Sequence, residues 1–520
     1  MAKEQSRTAG VSVVVSHFGW RTRAVTALGL ALAFTVALST LALANVGLTQ
    51  ISSDPFTAAT CTASNTTYHH TEVEPDTFSN GSTIVATFQV GRVFDGGSCD
   101  IGFATSTNNG STWTNGLLPG ITTFQGGGIY NRVSDPSVAF DARHNVWLIS
   151  SLALLGTSGA AVLTSRSTDG GITWGNPVTT NLTTGVDKNW IVCDNTSTSP
   201  FYGHCYTEWD NNAAGNLLQM STSTDGGLTW SVPATNNTGV IGGQPLVRPD
   251  GTVIVPIDNA NETAIGAFNS TNGGTTWSAV TTIATIRHHT EAGGLRSGAL
   301  PSAEIDGAGT VYVVWSDSRF RKRGAANDIV ISHSLNSTGT SWSAVSRVPT
   351  DATNSGVDHF IPGLAVNKST SGGSAQLGLT YYYYPVSACR SSCVLDVGFI
   401  SSTNGGTSWS AVTPVTGPFN VGWVANTSQG RMVGDYISTS YGSDNLAHAA
   451  FMTATAPTSG TNCGDVTDNC NEPADTTASG LALLGGSTSS AGDPVLFGGN
   501  NSGAASLWHV VDNNGSKHRD

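Results

Sequence analysis

Charge is the scarcest feature of this chain of 520 residues: only 11% are Asp, Glu, Lys or Arg, against about 25% in an average soluble domain. The 22 basic residues are outnumbered by 35 acidic ones, giving a formal net charge of −13, and no basic run is expected to present itself after the apolar N-terminal segment. Nucleic acid is thereby excluded as the expected partner, because a phosphate backbone selects clustered positive charge. Zinc-site spacing is missing too: the eight cysteines contain no CxxC pair and the twelve histidines no His-x3-His, so neither a metal nor a cofactor is expected. The length itself excludes a fold held by staples alone, since the chain can bury a large core.

What the chain has is glycine, 62 residues of it, and therefore many turns. Lys3, Arg7, Arg21 and Arg23 precede an uncharged apolar run over 24–48, long enough to span a bilayer. It ends in Ala42-Leu43-Ala44, which a signal peptidase could cut, so residues 1–48 read as a signal peptide or a retained signal anchor. Either way the chain is exported, to be secreted or held on the outer face of the membrane, which it meets only through this segment. Export permits disulfides, and sequence proximity pairs Cys61 with Cys99, Cys193 with Cys205, Cys389 with Cys393 and Cys463 with Cys470. Nothing in the sequence sets the oligomeric state.

An internal repeat dominates the rest. The pattern Ser, any, Asp or Asn, any, Gly, any, any, Trp occurs at Ser106 to Trp113, Ser167 to Trp174, Ser223 to Trp230, Ser270 to Trp277 and Ser402 to Trp409, and with one extra residue at Ser334 to Trp342. In a hairpin the Asp or Asn accepts hydrogen bonds from the turn, the Gly takes positive φ, and the Trp packs on a neighbouring strand. Upstream of the turns, inner strands are expected to start at Glu74-Pro75, Asp135-Pro136, Gln244-Pro245, Leu300-Pro301 and Ile361-Pro362, with Asp187-Lys188-Asn189-Trp190 and Gly434-Asp435-Tyr436 in equivalent places. A step of about 60 residues holds four short strands, one blade of a β-propeller. The expected architecture is an all-β propeller over 66–457, of seven blades or alternatively six, behind a linker at 49–65. A Gly/Ser/Thr-rich tail follows over 458–520, whose 507–511 stretch would close the last blade.

The eight-residue pattern resembles the Asp-box, or bacterial neuraminidase repeat, of the sialidase superfamily. That resemblance implies a propeller; for activity it implies an exo-α-sialidase type of glycoside hydrolase acting on extracellular glycans. Three arginines would bind the sialic-acid carboxylate, an Asp would be the general acid, and a Tyr nucleophile would give its proton to a Glu. The family's Phe/Tyr-Arg-Ile-Pro motif, source of the first arginine, is missing; Gly91-Arg92-Val93 and Asn131-Arg132-Val133 come nearest. A non-catalytic surface propeller binding glycan or protein is the alternative.

Ligands of propellers bind at one mouth of the central channel, so polar residues at equivalent inner-strand positions form the candidate ring: Glu74, Asp135, Asp187, Lys188, Gln244 and Asp435. Asp135 is the expected general acid, because neighbouring carboxylates raise one pKa. Tyr436 is the expected nucleophile, with Glu208, or else Glu304, taking its proton. The arginine candidates are Arg92, Arg132, Arg296, Arg319, Arg321 and Arg431, while the run Tyr381 to Tyr384 reads as aromatic packing.

Overall fold

The computed structural model describes residues 46–390, 392–486 and 488–489; residues 1–45 of the leader and the expected strand at 507–511 lie outside the described residues. Within them every regular element is a strand except five single-turn 3-10 segments, and no helix is long and apolar enough to cross a membrane.

The strands pair antiparallel with their chain neighbours, as alternating apolar residues and short Gly-rich turns dictate. The first sheet comprises Thr67–Asn80, Thr83–Val93, Ser98–Ser106 and Thr114–Leu117; the second, Arg132–Asp141, Val146–Leu155, Ser158–Ser167 and Val178–Leu182. The single pair Ser98↔Val133 joins these two. The third to sixth sheets open with Val186–Cys193, Val240–Gly243, Ser302–Ile305 and Asp358–Val366. The seventh holds Ser438–Tyr441, Leu446–Met452 and Ala474–Thr477, and its outer strand is Leu48–Gln50, from the start of the described chain. Among the described residues, strand pairing includes segments before residue 66 and after residue 457, with Leu48–Gln50 pairing to Ala474–Thr477.

Side chains link the seven sheets in a closed cycle. Val138 N donates to Asp76 (2.8 Å), Ile191 N to Ser137 (3.2 Å), Gly243 N to Glu208 (3.1 Å), Ala303 N to Gln244 (2.8 Å) and Leu364 N to Ser302 (3.1 Å). Thr439 Oγ1 then donates to Gly363 O (3.0 Å), and Ser438 meets Thr77 at 2.8 Å, returning to the first sheet. Backbone N–H groups that in-sheet pairing leaves over are satisfied by the neighbouring sheet, which fixes the order of all seven. One cavity is lined by residues of all seven first strands, among them Asp76, Val138, Trp190, Gly243, Ser302, Leu364 and Ser438: a central channel.

The eight-residue turns lie at the end of the channel where the first strands of the first six sheets finish. At Ser167 to Trp174, Gly171 N donates to Ser167 Oγ (2.9 Å), Thr173 N to Asp169 Oδ1 (3.0 Å) and Trp174 Nε1 to Gly171 O (3.1 Å). The turn also packs on the preceding sheet: Trp174 meets Phe103 at 5.8 Å, and a Cβ on Gly171 would come within 2.8 Å of Val85. It is therefore a clamp between sheets as well as a hairpin. The four disulfides pair as expected, and no described cysteine is free. All four residues from Tyr381 to Tyr384 are buried, two on each side of their strand, as aromatic packing requires.

Candidate active site

The expected inner-strand starts are not starts. Thr67–Asn80 and Arg132–Asp141 run through Glu74-Pro75 and Asp135-Pro136, and their pairing slips there between Val73 and Asp76 and between Ser134 and Ser137. Third-, fourth- and sixth-sheet strands slip at the equivalent place. Each slip is a bulge whose residue turns to positive φ: Glu74 (56°), Asp135 (48°), Lys188 (49°), Gly242 (73°) and Ile361 (49°). Left-handed backbone is costly for residues other than Gly, and such strain persists where surrounding structure over-determines it, typically at functional sites. The bulges re-aim their side chains, and three of them carry charge into one mouth. In the seventh sheet Gly434 comes so close to the first that a Cβ would lie 2.8 Å from Glu74 N, so a side chain is excluded and Asp435 follows directly into the same mouth.

A polar cavity of about 210 Å³ opens there, lined by Glu74, Arg92, Asp135, Asp187, Lys188 and Arg296 among others. Arg296 grips Asp435 in a fork, Nε to Oδ1 at 2.7 Å and Nη2 to Oδ2 at 2.5 Å, and the Lys188 ammonium binds the same carboxylate. Burial opposes ionisation of Asp435, but Arg296 and Lys188 outweigh it and hold the carboxyl far below the usual range. Burial likewise opposes the charge on Asp135, yet Lys188, a hydrogen bond from Glu74 and the Ser134 hydroxyl (2.8 Å) keep its pKa low. Glu74 goes the other way. Burial, then the charges of Asp135 and Asp435, push it up to about 8, so it is protonated at neutral pH. Gln89 donates to its second oxygen and accepts from Arg92 Nη1 (2.9 Å), which orients the carboxyl. Asp187, only partly covered, is pushed up to about 6 by burial and by Asp135. Beside it Asp210 is pushed up to about 8, first by burial and next by Asp187, and both its oxygens lack a protein partner.

Of the candidates from sequence, the mouth gathers Glu74, Arg92, Asp135, Asp187, Lys188, Arg296 and Asp435. The rest are placed otherwise. Tyr436 is buried, stacks edge-on against Trp190 at 5.0 Å and donates to Pro136 O (3.0 Å); burial, Glu74 and Asp135 raise its pKa well above that of free tyrosine. Glu208 and Gln244 serve the ring-closing bonds, so Glu208 does not reach Tyr436. Glu304 faces Lys368 at 3.9 Å near the other end of the channel. Arg132 is buried against Asp95 (2.6 Å), Arg319 forks onto Asp317 (2.8 and 2.9 Å), Arg321 meets Asp328 and Asp351 (both 2.6 Å), and Arg431 holds the carbonyls of Val424 and Cys463 (both 2.9 Å). These four do not join the mouth, because each has a nearer carboxylate or carbonyl. Gln89 and Asp210 were not singled out from sequence; the signal was strand register, since Gln89 pairs with Val73 beside the bulge and Asp210 with Asp187.

No family model matches the chain. No curated protein matches it in sequence. Among solved structures, a protein of unknown function from Dyadobacter fermentans is similar with a TM-score of 0.44 and 15% identity, covering 69% of this chain and 100% of its own. The Hadza microbial sialidase Hz136 is similar with a TM-score of 0.40 and 19% identity, over 60% of this chain and 64% of its own. The leech intramolecular trans-sialidase is similar with a TM-score of 0.39 and 12% identity, over 82% and 70%.

Proposed function

We propose that this chain is an exported seven-bladed β-propeller that cleaves extracellular glycans by acid–base chemistry at the bulged mouth of its channel. The convergence of Glu74 and Asp187 on one polar cavity, from the bulged strands of the first and third sheets and with opposite protonation at neutral pH, carries this reading. In the reaction the Glu74 carboxyl gives its proton to the glycosidic oxygen as the bond to the anomeric carbon breaks. The Asp187 carboxylate takes a proton from the water whose oxygen bonds to that carbon. Asp187 then releases its proton to solvent and Glu74 takes one back from water, while Asp135 and Asp435 keep the Glu74 carboxyl's pKa raised and Gln89 keeps it oriented.

This assigns the acid to Glu74 in place of Asp135. Lys188 and Ser134 keep Asp135 ionised, whereas Glu74 has no cation in direct contact. It also departs from the exo-α-sialidase type. Tyr436 donates its hydroxyl hydrogen to the Pro136 carbonyl instead of to a carboxylate, and of the six candidate arginines only Arg92 and Arg296 line the cavity. Arg296 is already committed to Asp435.

The test is release of a fluorescent aglycone from a panel of glycosides, the α-sialoside included, by wild type, Glu74→Gln and Asp187→Asn. Turnover of any member, lost in both folded variants, is the expected result; retention by Glu74→Gln overturns the assignment. The alternative, a propeller that binds glycan or protein without cleaving it, is favoured by one feature: the charges of Lys188 and Arg296 are already balanced by those of Asp435 and Asp135. A folded wild type inert on the whole panel would select it.

A further inference from the structure

Against the expectation of no basic run, Arg319, Arg321, Lys322 and Arg323 fall within five residues of a chain that carries only 22 basic residues in all. The structure divides their work. Arg321 is buried and ties the loop down through Asp328 and Asp351, while Arg347 meets the same two acids. Carboxylates and His359 gather closely enough there to hold a cation, but the two guanidiniums supply that positive charge. Arg319 is spent on Asp317. Lys322 and Arg323 point outward, as does Arg287 on the adjoining segment, and none of the three makes an ion pair among the described residues. Arg287 O accepts from both Ser318 N (2.5 Å) and Ser318 Oγ (2.6 Å), and Arg287 N donates to Asp317 (3.1 Å), so the two segments form one platform.

The local acids face inward. Besides Asp317, Asp328 and Asp351, Asp358 is taken by His289 (3.0 Å) and Asn327 N (2.6 Å), and Glu291 by His288 (3.2 Å) and Asn327 Nδ2 (2.9 Å). What remains outside, beside Phe320 at 37% exposure, is the positive charge of Arg287, Lys322 and Arg323, with the exposed acid Glu262 on the adjoining hairpin, next to Thr263, whose carbonyl accepts from Ile286 N (2.8 Å). The platform lies on the mouth side, because the Asp317-to-Asp328 connection follows a strand running antiparallel to Ser302–Ile305 and so ends where the first strands begin. The strap leaving Arg287 reaches the mouth at Arg296, nine residues on and at most about 32 Å away.

We infer that Arg287, Lys322 and Arg323 form a secondary binding site for an anionic polysaccharide, whose carboxylate or sulfate groups they hold while the chain extends to the mouth. The inference rests on the glycan reading above in its choice of polymer, but its test does not need turnover. Fluorescence anisotropy would measure binding of labelled oligogalacturonate, dextran sulfate, neutral dextran and duplex DNA to wild type and to the triple variant Arg287→Gln/Lys322→Gln/Arg323→Asn. Asn is chosen at 323 because the residue has φ of 60°, which Asn tolerates.

Either anionic polysaccharide is expected to bind more tightly than neutral dextran, with affinity falling as salt rises. The triple variant should lose about tenfold in affinity and most of the salt dependence, at an unchanged melting temperature. The oligogalacturonate and dextran sulfate arms separate carboxylate from sulfate recognition. Equal binding by the triple variant, or duplex DNA bound as tightly as the polysaccharides, overturns the site. Binding without cleavage would leave it standing and count against the hydrolase reading. Cleavage of an anionic polysaccharide at equal rates by both proteins, independent of salt, would do the reverse.

Discussion

The two ends of the channel are built from the same strands and obey different rules. At the end carrying the eight-residue turns, one hydrogen-bond pattern recurs: Gly110, Gly171, Gly227, Gly274 and Gly406 each donate to a Ser hydroxyl at 2.8–3.0 Å. At the bulged end the equivalent positions hold Glu74, Asp135, Lys188, Gly242 and Ile361, no two alike. Uniformity marks the end that holds sheets together, since every junction poses the same packing problem. Diversity marks the end where the backbone is strained and charges are desolvated, because an acid, a base and their counter-ions must differ to be useful.

The sharpest way to break this contrast is Glu74→Gln. It should lower turnover by about 10²- to 10⁴-fold, as for loss of a general acid, with stability at neutral pH retained or raised because the cost of keeping Glu74 protonated is removed; steady-state rates and urea denaturation measured together check both halves. At the other end Trp174→Ala should show the converse, losing about 3–5 kcal/mol of stability through the cavity left beside Phe103, while the surviving folded fraction keeps its rate. Lys188→Met tests the ion cluster: Asp435 would keep only Arg296, and about 3 kcal/mol should go, read by the same denaturation.

A pH series sharpens the comparison further. Turnover should fall below about pH 6 as Asp187 takes up a proton and above about pH 8 as Glu74 loses one. For stability the sign follows from the raised pKa of Glu74. Between its ordinary value of about 4.3 and the folded value of about 8, the native state binds more protons than the unfolded one. Stability therefore declines with rising pH across that window, and Glu74→Gln should flatten the decline; melting temperatures of the two proteins from pH 5 to 9 give the difference. The smallest effect belongs to Ser223→Ala, which removes one acceptor for Gly227 N (2.9 Å) and should cost about 1 kcal/mol.

The turns were legible because each is local: Ser, Asp or Asn, Gly and Trp within eight residues satisfy one another. The disulfides were legible for a similar reason, with three of the four spanning 12 residues or fewer. The site was half legible. A polar residue before proline located Glu74 and Asp135, but it read as a strand start, since nothing local shows that pairing continues on both sides of a bulge. Tyr436 shared the register of the ring and looked free to react; only packing shows that Pro136 O and Trp190 occupy its surroundings.

Sequence alone determined the all-β repeat, its turn chemistry and the pairing of its cysteines, because those follow from interactions between residues close in the chain. Tertiary structure decided which carboxyl keeps its proton, which arginines are spent on neighbouring acids, and that Leu48–Gln50 completes the sheet begun at Ser438–Tyr441. Burial and long-range charge set those outcomes, and both depend on the whole ring being closed.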